Sequence, residues 1–172
     1  MKYYHMYQDK RIKNCVRLRD FPTDESVDFT KEDADKLRES TIIYTTNNKE
    51  VTYPSLLEAP IIMVEQEVQK VITMYDDTVI FKSVAIINKK ENTQESYKVM
   101  LLDRIDCLHE MTEYRKDQSI QKIVLDSKKI GKLKIFQIQG TKRKDIIIAM
   151  DIVESLLRRH VLGIRYEEIE CI

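Results

Sequence analysis

The sequence predicts an α+β fold, with a mixed, mostly antiparallel sheet and two helices on one of its faces. Two observations lead to this prediction. Most apolar segments alternate with polar residues, as half-buried strands do, and only a few show the spacing of an amphipathic helix. In addition, residues 61–84 and 146–169 carry the same succession of patterns. We therefore expect two strand-helix-strand pseudo-repeats inside one α+β domain.

The two copies match at a constant offset of 85 residues, without a gap. Each begins with a short apolar run, continues with apolar residues at i, i+3, i+4 and i+7, and ends in alternation. His160 then corresponds to Tyr75, at a core-facing position. The helical spacing predicts that the following side chains are buried: Val68, Val71, Ile72, Val153, Leu156 and Leu157.

Residues 1–54 are predicted to form an N-terminal elaboration. It packs in the same domain as a core formed by residues 55–172. Two prolines, Pro54 and Pro60, mark this boundary. Strands are expected at residues 3–7 and 15–18. Thr30 and Asp33 have the spacing of a capping box, which predicts a short helix over residues 31–38.

Three pairs of strands are expected from polar turns between apolar segments. Residues 41–46 and 51–53 flank a turn rich in asparagine, and residues 79–87 and 97–102 flank a longer polar stretch. Residues 120–125 and 133–138 form the third expected pair. Gly163 is placed to end the second helix and let the last strand begin.

Composition narrows the class of protein. The 172 residues fit one domain, and 42% hydrophobic with 34% charged residues indicates an ordered protein. No apolar run approaches the length of a membrane span, and the first residues lack a secretory signal, so we expect a cytoplasmic protein. Three widely separated cysteines fit neither a disulfide framework nor a zinc knuckle, and we expect reduced thiols.

Catalytic equipment is sparse. Three isolated glycines cannot build a phosphate-binding loop or a nucleophile elbow. A metal site is not expected, because the most site-like segment offers too few ligands for a closed zinc site: Cys107, His109, Glu110 and Glu113. Paired carboxylates for acid-base chemistry are one interpretation of Asp103, Asp106, Glu110 and Glu113. The preferred interpretation is that they are ordinary acidic residues of a loop. We predict neither an enzyme nor a cofactor.

Charge is segregated although the 29 basic and 29 acidic residues cancel. Residues 20–35 hold seven acids and one base, whereas residues 128–160 hold nine bases and three acids. The basic stretch has few interleaved aromatic residues, so a solvated surface is favoured over nucleic-acid contact. The acidic stretch fits an exposed helix with its lead-in, or a surface that binds a basic protein.

Six mostly apolar stretches within residues 55–170 carry a family resemblance: APIIMVEQEVQKVI (59–72), YKVMLLDRIDCL (97–108), IVLD (123–126), LKIF (133–136), DIII (145–148) and LGIRY (162–166). On these stretches the chain resembles a family of bacterial immunity proteins from polymorphic toxin systems, first catalogued as a domain of unknown function. Members often place a small hydroxyl residue where the helix of each copy begins, whereas this chain has Glu65 and Met150 there.

The resemblance implies an immunity protein that binds a cognate toxin inside the producing cell and neutralises it by stoichiometric inhibition. Such a protein needs a complementary surface rather than catalytic residues. Two alternatives remain open: a nucleic-acid-binding or regulatory protein that uses residues 128–159, and an enzyme of unrecognised type. The acidic stretch lies outside the resembling region, and we predict that it contacts the toxin through Asp20, Asp24, Glu25, Asp28, Glu32, Asp33 and Asp35.

Overall fold

The computed structural model describes residues 1–19, 21, 29–47, 50–141 and 145–172. The fold is α+β and its strand pairing is mostly antiparallel, as predicted. The strands are β1 (Tyr3–Gln8), β2 (Ser40–Tyr44), β3 (Leu56–Leu57), β4 (Met63–Glu65), β5 (Ile80–Asn88), β6 (Thr93–Leu101), β7 (Arg104–Ile105), β8 (Glu113–Tyr114), β9 (Ile120–Lys122), β10 (Val124–Leu125), β11 (Ile135–Ile138), β12 (Ile146–Ala149) and β13 (Ile164–Cys171). The α-helices are α1 (Gln66–Tyr75), α2 (Ser127–Ile130) and α3 (Met150–Arg158), and a 3-10 helix spans Lys31–Lys36.

The expectation of a single main sheet is wrong. The first sheet has five strands in the order β2-β5-β6-β4-β3, and the second sheet has six in the order β10-β13-β1-β12-β11-β7. Strands β8 and β9 form a separate hairpin. Each main sheet contains one copy of the repeat, so the chain divides its strands between two sheets of similar size.

Both copies fold as strand-helix-strand units, as predicted: β4-α1-β5 in the first sheet and β12-α3-β13 in the second. The correspondence extends to the neighbouring strands. In each sheet the two strands of the unit flank an antiparallel middle strand, which is β6 in the first sheet and β1 in the second. Outside them, β3 and β11 pair antiparallel with β4 and β12, and β2 and β10 pair parallel with β5 and β13. Five strands of each sheet are therefore equivalent.

The register of the sheets corrects the constant offset of 85. Glu65, Tyr97 and Val84 lie side by side across the first sheet, and Ala149, Tyr3 and Ile169 lie side by side across the second. The first strand and the helix are consequently related by 84 positions, and only the last strand is related by 85. The second copy carries one extra residue between helix and strand, where His160 and Gly163 both have positive φ angles.

This shift explains two wrong predictions of burial. Leu157 is 57% exposed, because Leu156 occupies the place of Ile72 and Leu157 that of Thr73. His160 is exposed for the same reason. Five of the six predicted core residues are buried: Val68, Val71, Ile72, Val153 and Leu156. Helix α3 has the adjacent apolar pairs Ile152-Val153 and Leu156-Leu157, so its apolar pattern matches α1 at an offset of 85, although the sheets set an offset of 84 at which the buried Ser155 takes the place of Val71.

Three apolar clusters hold the fold together. The central cluster joins α1 and α3 to the inner faces of both sheets, and Met6 and Met100 occupy equivalent places in it. A second cluster lies on the outer face of the first sheet, under a cover that includes Val16 and Leu37. A third lies on the outer face of the second sheet, under a cover that includes Cys107 and Ile130. Each sheet thus has one shared and one separately covered face.

Segments before Pro54 belong to both sheets, since β1 is the middle strand of the second sheet and β2 an edge strand of the first. The expected pairing of residues 41–46 with 51–53 is wrong: β2 pairs in parallel with β5, and Thr52 bridges to Cys15. Of the two strands expected at residues 3–7 and 15–18, β1 is confirmed, while Cys15 and Leu18 form only isolated bridges.

Among the other local predictions, two are confirmed and one is wrong. The β5-β6 hairpin is confirmed, and so is the short helix after Thr30, which is a 3-10 helix. The pairing of residues 120–125 with 133–138 is wrong, because Asp126 caps the helical turn α2 where a hairpin turn was expected. Strand β10 pairs instead with β13, and β11 with β12.

Candidate functional site

The predicted acidic surface falls partly outside the described residues, which exclude Asp20, Asp24, Glu25 and Asp28. The other three acids, Glu32, Asp33 and Asp35, lie on the 3-10 helix. Asp33 accepts hydrogen bonds from the backbone N–H and hydroxyl of Thr30 and pairs with Lys36, and the Thr30 N–H is the main reason that the pKa of its carboxyl is lowered. Glu32 and Asp35 are exposed, so these two acids remain available to a partner.

Lys31 fixes this 3-10 helix to the scaffold. Its ammonium contacts Thr78 at 2.9 Å and Asp103 at 3.1 Å, and its backbone N–H donates to Leu102. The acids beside it are therefore presented from a defined position.

The segment weighed as a metal site is built as a cover for the second sheet. Cys107 is fully buried against the third cluster, and burial raises the pKa of its thiol to about 12. His109 uses Nδ1 to accept a hydrogen bond from the backbone N–H of Met111, while Glu110 and Glu113 are exposed. Across the described ranges, no group of three or more His, Cys, Asp or Glu side chains could hold a metal ion.

Two of the four candidate carboxylates for acid-base chemistry have separate basic partners. Asp103 pairs with Lys31 at 3.1 Å, and Asp106 lies 3.5 Å from Lys129. Glu110 and Glu113 belong to the exposed loop and the β8-β9 hairpin.

The basic stretch is largely neutralised by its own neighbours. Residues 142–144 lie outside the described residues, and four of the six other bases form ion pairs. Lys134 contacts Asp151 and lies over the Tyr75 ring, while Arg159 lies near Glu67. These contacts favour a structural role, since they join α3 to α1 and β11.

Comparison of the two sheets reveals a polar surface that the sequence alone did not indicate. At five equivalent positions on the outer faces, the first sheet has Ile61, Ile80, Lys82, Val99 and Leu101, whereas the second sheet has Asp145, Arg165, Glu167, His5 and Tyr7. In the first sheet these positions belong to the outer apolar cluster, apart from Lys82, which pairs with Glu39. We call the five residues of the second sheet the polar face.

His5 and Asp145 form the inner part of the polar face. His5 Nε2 lies 3.3 Å from Asp145 Oδ1, and their side chains are 19% and 5% exposed. The carboxylate follows residues 142–144 and lies at the start of β12. An imidazole partner offsets part of the cost of burying this carboxylate. The pair is therefore held in one orientation by the sheet.

Tyr7 extends this inner part towards solvent. It lies two residues after His5 on β1, so both side chains point to the same side of the sheet. Their ring centroids are 5.1 Å apart, with an interplanar angle of 38°. The half-buried Tyr7 ring thus has the His5 ring as a neighbour.

Arg165 and Glu167 form the exposed rim. They are two residues apart on β13, opposite Tyr7 and His5, so their side chains lie on one face about 7 Å apart. Within the described part of the chain neither forms a salt bridge, although the pKa of Asp9 is lowered by its hydrogen bonds to Arg11 and, as one of the smaller causes, by the positive charge of Arg165. By contrast, Glu168 on the opposite face pairs with Lys2 at 2.9 Å. The rim therefore offers one positive and one negative group to a partner.

Sequence reasoning missed this face because β1 precedes the second copy by about 140 residues, whereas β6 follows the first copy directly. No local pattern identifies β1 as the counterpart of β6. The only available signal was the alternation of Tyr3, His5 and Tyr7, in which polar rings occupy the strand face that carries apolar residues elsewhere.

Comparisons with known proteins add no family. No protein-family model matches the chain, and no curated protein matches it. Separately, none of the helices in the described ranges has the length and apolar character needed to cross a membrane.

Proposed function

We propose that this chain is an immunity protein, which binds a cognate bacterial toxin in the cytoplasm of the producing cell and neutralises it by stoichiometric inhibition. The observation that carries the proposal is the position of the stretches that resemble the immunity-protein family. They fall on β4 with α1, β6 with β7, β10, β11, β12, and the start of β13. These elements include strands of both sheets and the helix of the first copy, so the resemblance extends over both halves of the fold.

Inhibition by binding is also consistent with the surfaces described above. Effective inhibition requires a rigid scaffold that presents an anchor and a polar rim, because ordering mobile groups would reduce affinity. The central cluster, shared by both sheets and both helices, provides such a scaffold. The acidic 3-10 helix and the polar face are two surfaces that it could present.

The nucleic-acid alternative has less support. Phosphate binding needs bases that are free to displace counterions, and most of the described bases between residues 128 and 159 are paired with acids. A salt-dependent association with DNA or RNA, lost when Lys128 and Lys132 are replaced by Ser, would favour that alternative.

The proposal predicts that a toxin gene lies beside this one, and co-expression of that toxin with this chain is the test. Bacteria that produce the toxin's C-terminal domain should die, and bacteria that also produce this chain should survive. The purified proteins should form a complex of fixed stoichiometry in which toxin activity is abolished. An inactive toxin that leaves cells viable serves as the control for expression. Absence of both protection and binding would contradict the immunity function.

A further inference from the structure

The residues at equivalent positions of the two sheets can be compared with each other, because five strands of each sheet share order, direction and register. In the first sheet these positions, apart from Lys82, are apolar and covered, as Val99 and Leu101 are. In the second sheet adjacent places on three neighbouring strands carry polar residues, and the buried Asp145 carboxylate among them has a desolvation cost that an apolar residue would avoid.

The segments that cover the outer faces of the two sheets differ at the position of the polar face. In the first sheet, Val99 and Leu101 are fully buried in the outer cluster together with Leu37. In the second sheet the cover reaches Tyr3 on β1 and its partner Ile169 on β13. Tyr3 lies two residues before His5 on β1. The remaining part of this outer face has the partly exposed rings of His5 and Tyr7, the buried Asp145 carboxylate and the exposed charges of Arg165 and Glu167.

We propose that the polar face is the surface that contacts the toxin, which rests on the immunity function proposed above. Tyr7 is the aromatic anchor, seated on His5, and the buried Asp145 carboxylate holds His5 in place. Arg165 and Glu167 form the rim. Tyrosine and arginine are enriched among the residues that carry most of the binding energy in protein interfaces.

The rim also specifies the chemistry of the partner. Because Arg165 and Glu167 lie on one face about 7 Å apart, the toxin presents an acidic side chain opposite Arg165 and a basic one opposite Glu167. An inverted arrangement would place like charges together and would be rejected. The polar face thus determines which toxin is recognised, whereas the acidic stretch acts on the rate of encounter.

Exchange of the two rim charges is the sharpest test. The double variant Arg165→Glu with Glu167→Arg keeps the net charge and exposure of β13, so it should fold and associate normally. We expect its complex with the purified toxin domain to dissociate at least tenfold faster, with an association rate within twofold of the wild type. Tyr7→Ala should also accelerate dissociation at least tenfold.

Matched controls lie elsewhere on the same protein. Tyr114→Ala removes an exposed tyrosine from the β8-β9 hairpin, and Glu168→Ser removes a charge from the opposite face of β13. Both should bind within twofold of the wild type. An exchange variant that is folded, judged by its urea midpoint, and dissociates like the wild type would reject the polar face while leaving the immunity function intact. A wild type that neither binds nor protects would reject both.

Discussion

Tyr97 and Tyr3 occupy equivalent positions in the two sheets, and each hydroxyl donates to an equivalent carbonyl oxygen. Tyr97 donates to Pro54 at 2.7 Å, and Tyr3 donates to Leu133 at 2.8 Å. Each accepting residue lies two positions before the strand that pairs with the first strand of its repeat copy, which is β3 in the first sheet and β11 in the second. The likeness between the two halves therefore extends from strand order to single hydrogen bonds, although the two tyrosines reach their places from opposite ends of their units.

Three tyrosine-to-phenylalanine variants should separate bonded from unbonded hydroxyls. Tyr97→Phe leaves the Pro54 carbonyl without its partner in a buried place and should reduce the free energy of unfolding by about 1–3 kcal/mol. Tyr3→Phe should cost about 0.5–1.5 kcal/mol, since its bond is only partly buried. Tyr166 has a buried hydroxyl with no partner in the described structure, so Tyr166→Phe should leave stability unchanged or raise it. Urea denaturation would measure all three, and a destabilised Tyr166→Phe would contradict this account.

Adjacent leucines on α3 test the corrected register. Leu156 is fully buried in the central cluster, and Leu156→Ala should cost about 2–5 kcal/mol. Leu157 is mostly exposed, and Leu157→Ala should change stability by less than about 1 kcal/mol. Equal losses in thermal or urea unfolding would restore the constant offset of 85 that the sequence predicted.

Glycine is required at position 163 both by the backbone conformation and by the close approach of neighbouring side chains. Its φ is +75°, and an added Cβ would lie 2.5 Å from Pro54 Cβ and 2.7 Å from the Ile12 side chain. Gly140 has a similar φ of +81° but no described atom within 4 Å of an added Cβ. Gly140→Ala should therefore cost about 1 kcal/mol through backbone strain alone, and Gly163→Ala should cost clearly more. Matched unfolding curves would decide, and equal costs would argue against the close approach.

Cys107 should make stability depend on alkaline pH. Burial raises its pKa from 9.0 to about 12 in the folded protein, so between these values the unfolded thiol loses its proton while the folded thiol keeps it. Stability from this group is therefore complete below pH 9 and is lost as pH rises towards 12, by about 1.4 kcal/mol per pH unit. The stability of wild type relative to Cys107→Ala should fall between pH 8 and pH 11, measured by urea unfolding. A difference that stays constant would contradict the raised pKa.

The acidic stretch should affect the encounter with the toxin more than the lifetime of the complex. Replacement of Asp24, Glu25 and Asp28 by Ser should slow association and leave dissociation nearly unchanged, because charge complementarity acts mainly on the rate of encounter. Raised salt should erase the difference, since the Debye length shortens to about 3 Å at 1 M. The variant should remain folded, since the sequence predicts a surface position for these charges and surface charges contribute little to stability. An unchanged association rate at low salt would remove the acidic stretch from the contact.

Local periodicity was sufficient to predict α1, α3, the strands of both copies and the β5-β6 hairpin, because each of these depends on residues close in the chain. It failed where partners are distant. Strand β2 alternates like a hairpin strand, yet its partner is β5 rather than the segment that follows it. Periodicity did not predict the polar face for the same reason. His5 contacts Asp145 only after β1 has paired with strands from the other end of the chain.

The position of β1 also governs when each half of the molecule can form. All strands of the first sheet come from residues 40–101, whereas Tyr3 pairs with Ala149 and Gln8 with Ile164. Pairing across such a sequence separation is slow, because a long loop must close before any contact is gained. During synthesis the first sheet can assemble while β1, already made, waits for residues 146–171 to leave the ribosome. Strands β12 and β13 in turn expose open edges until β1 enters between them, so the completion of the second sheet is the step at which a nascent chain is most prone to aggregate.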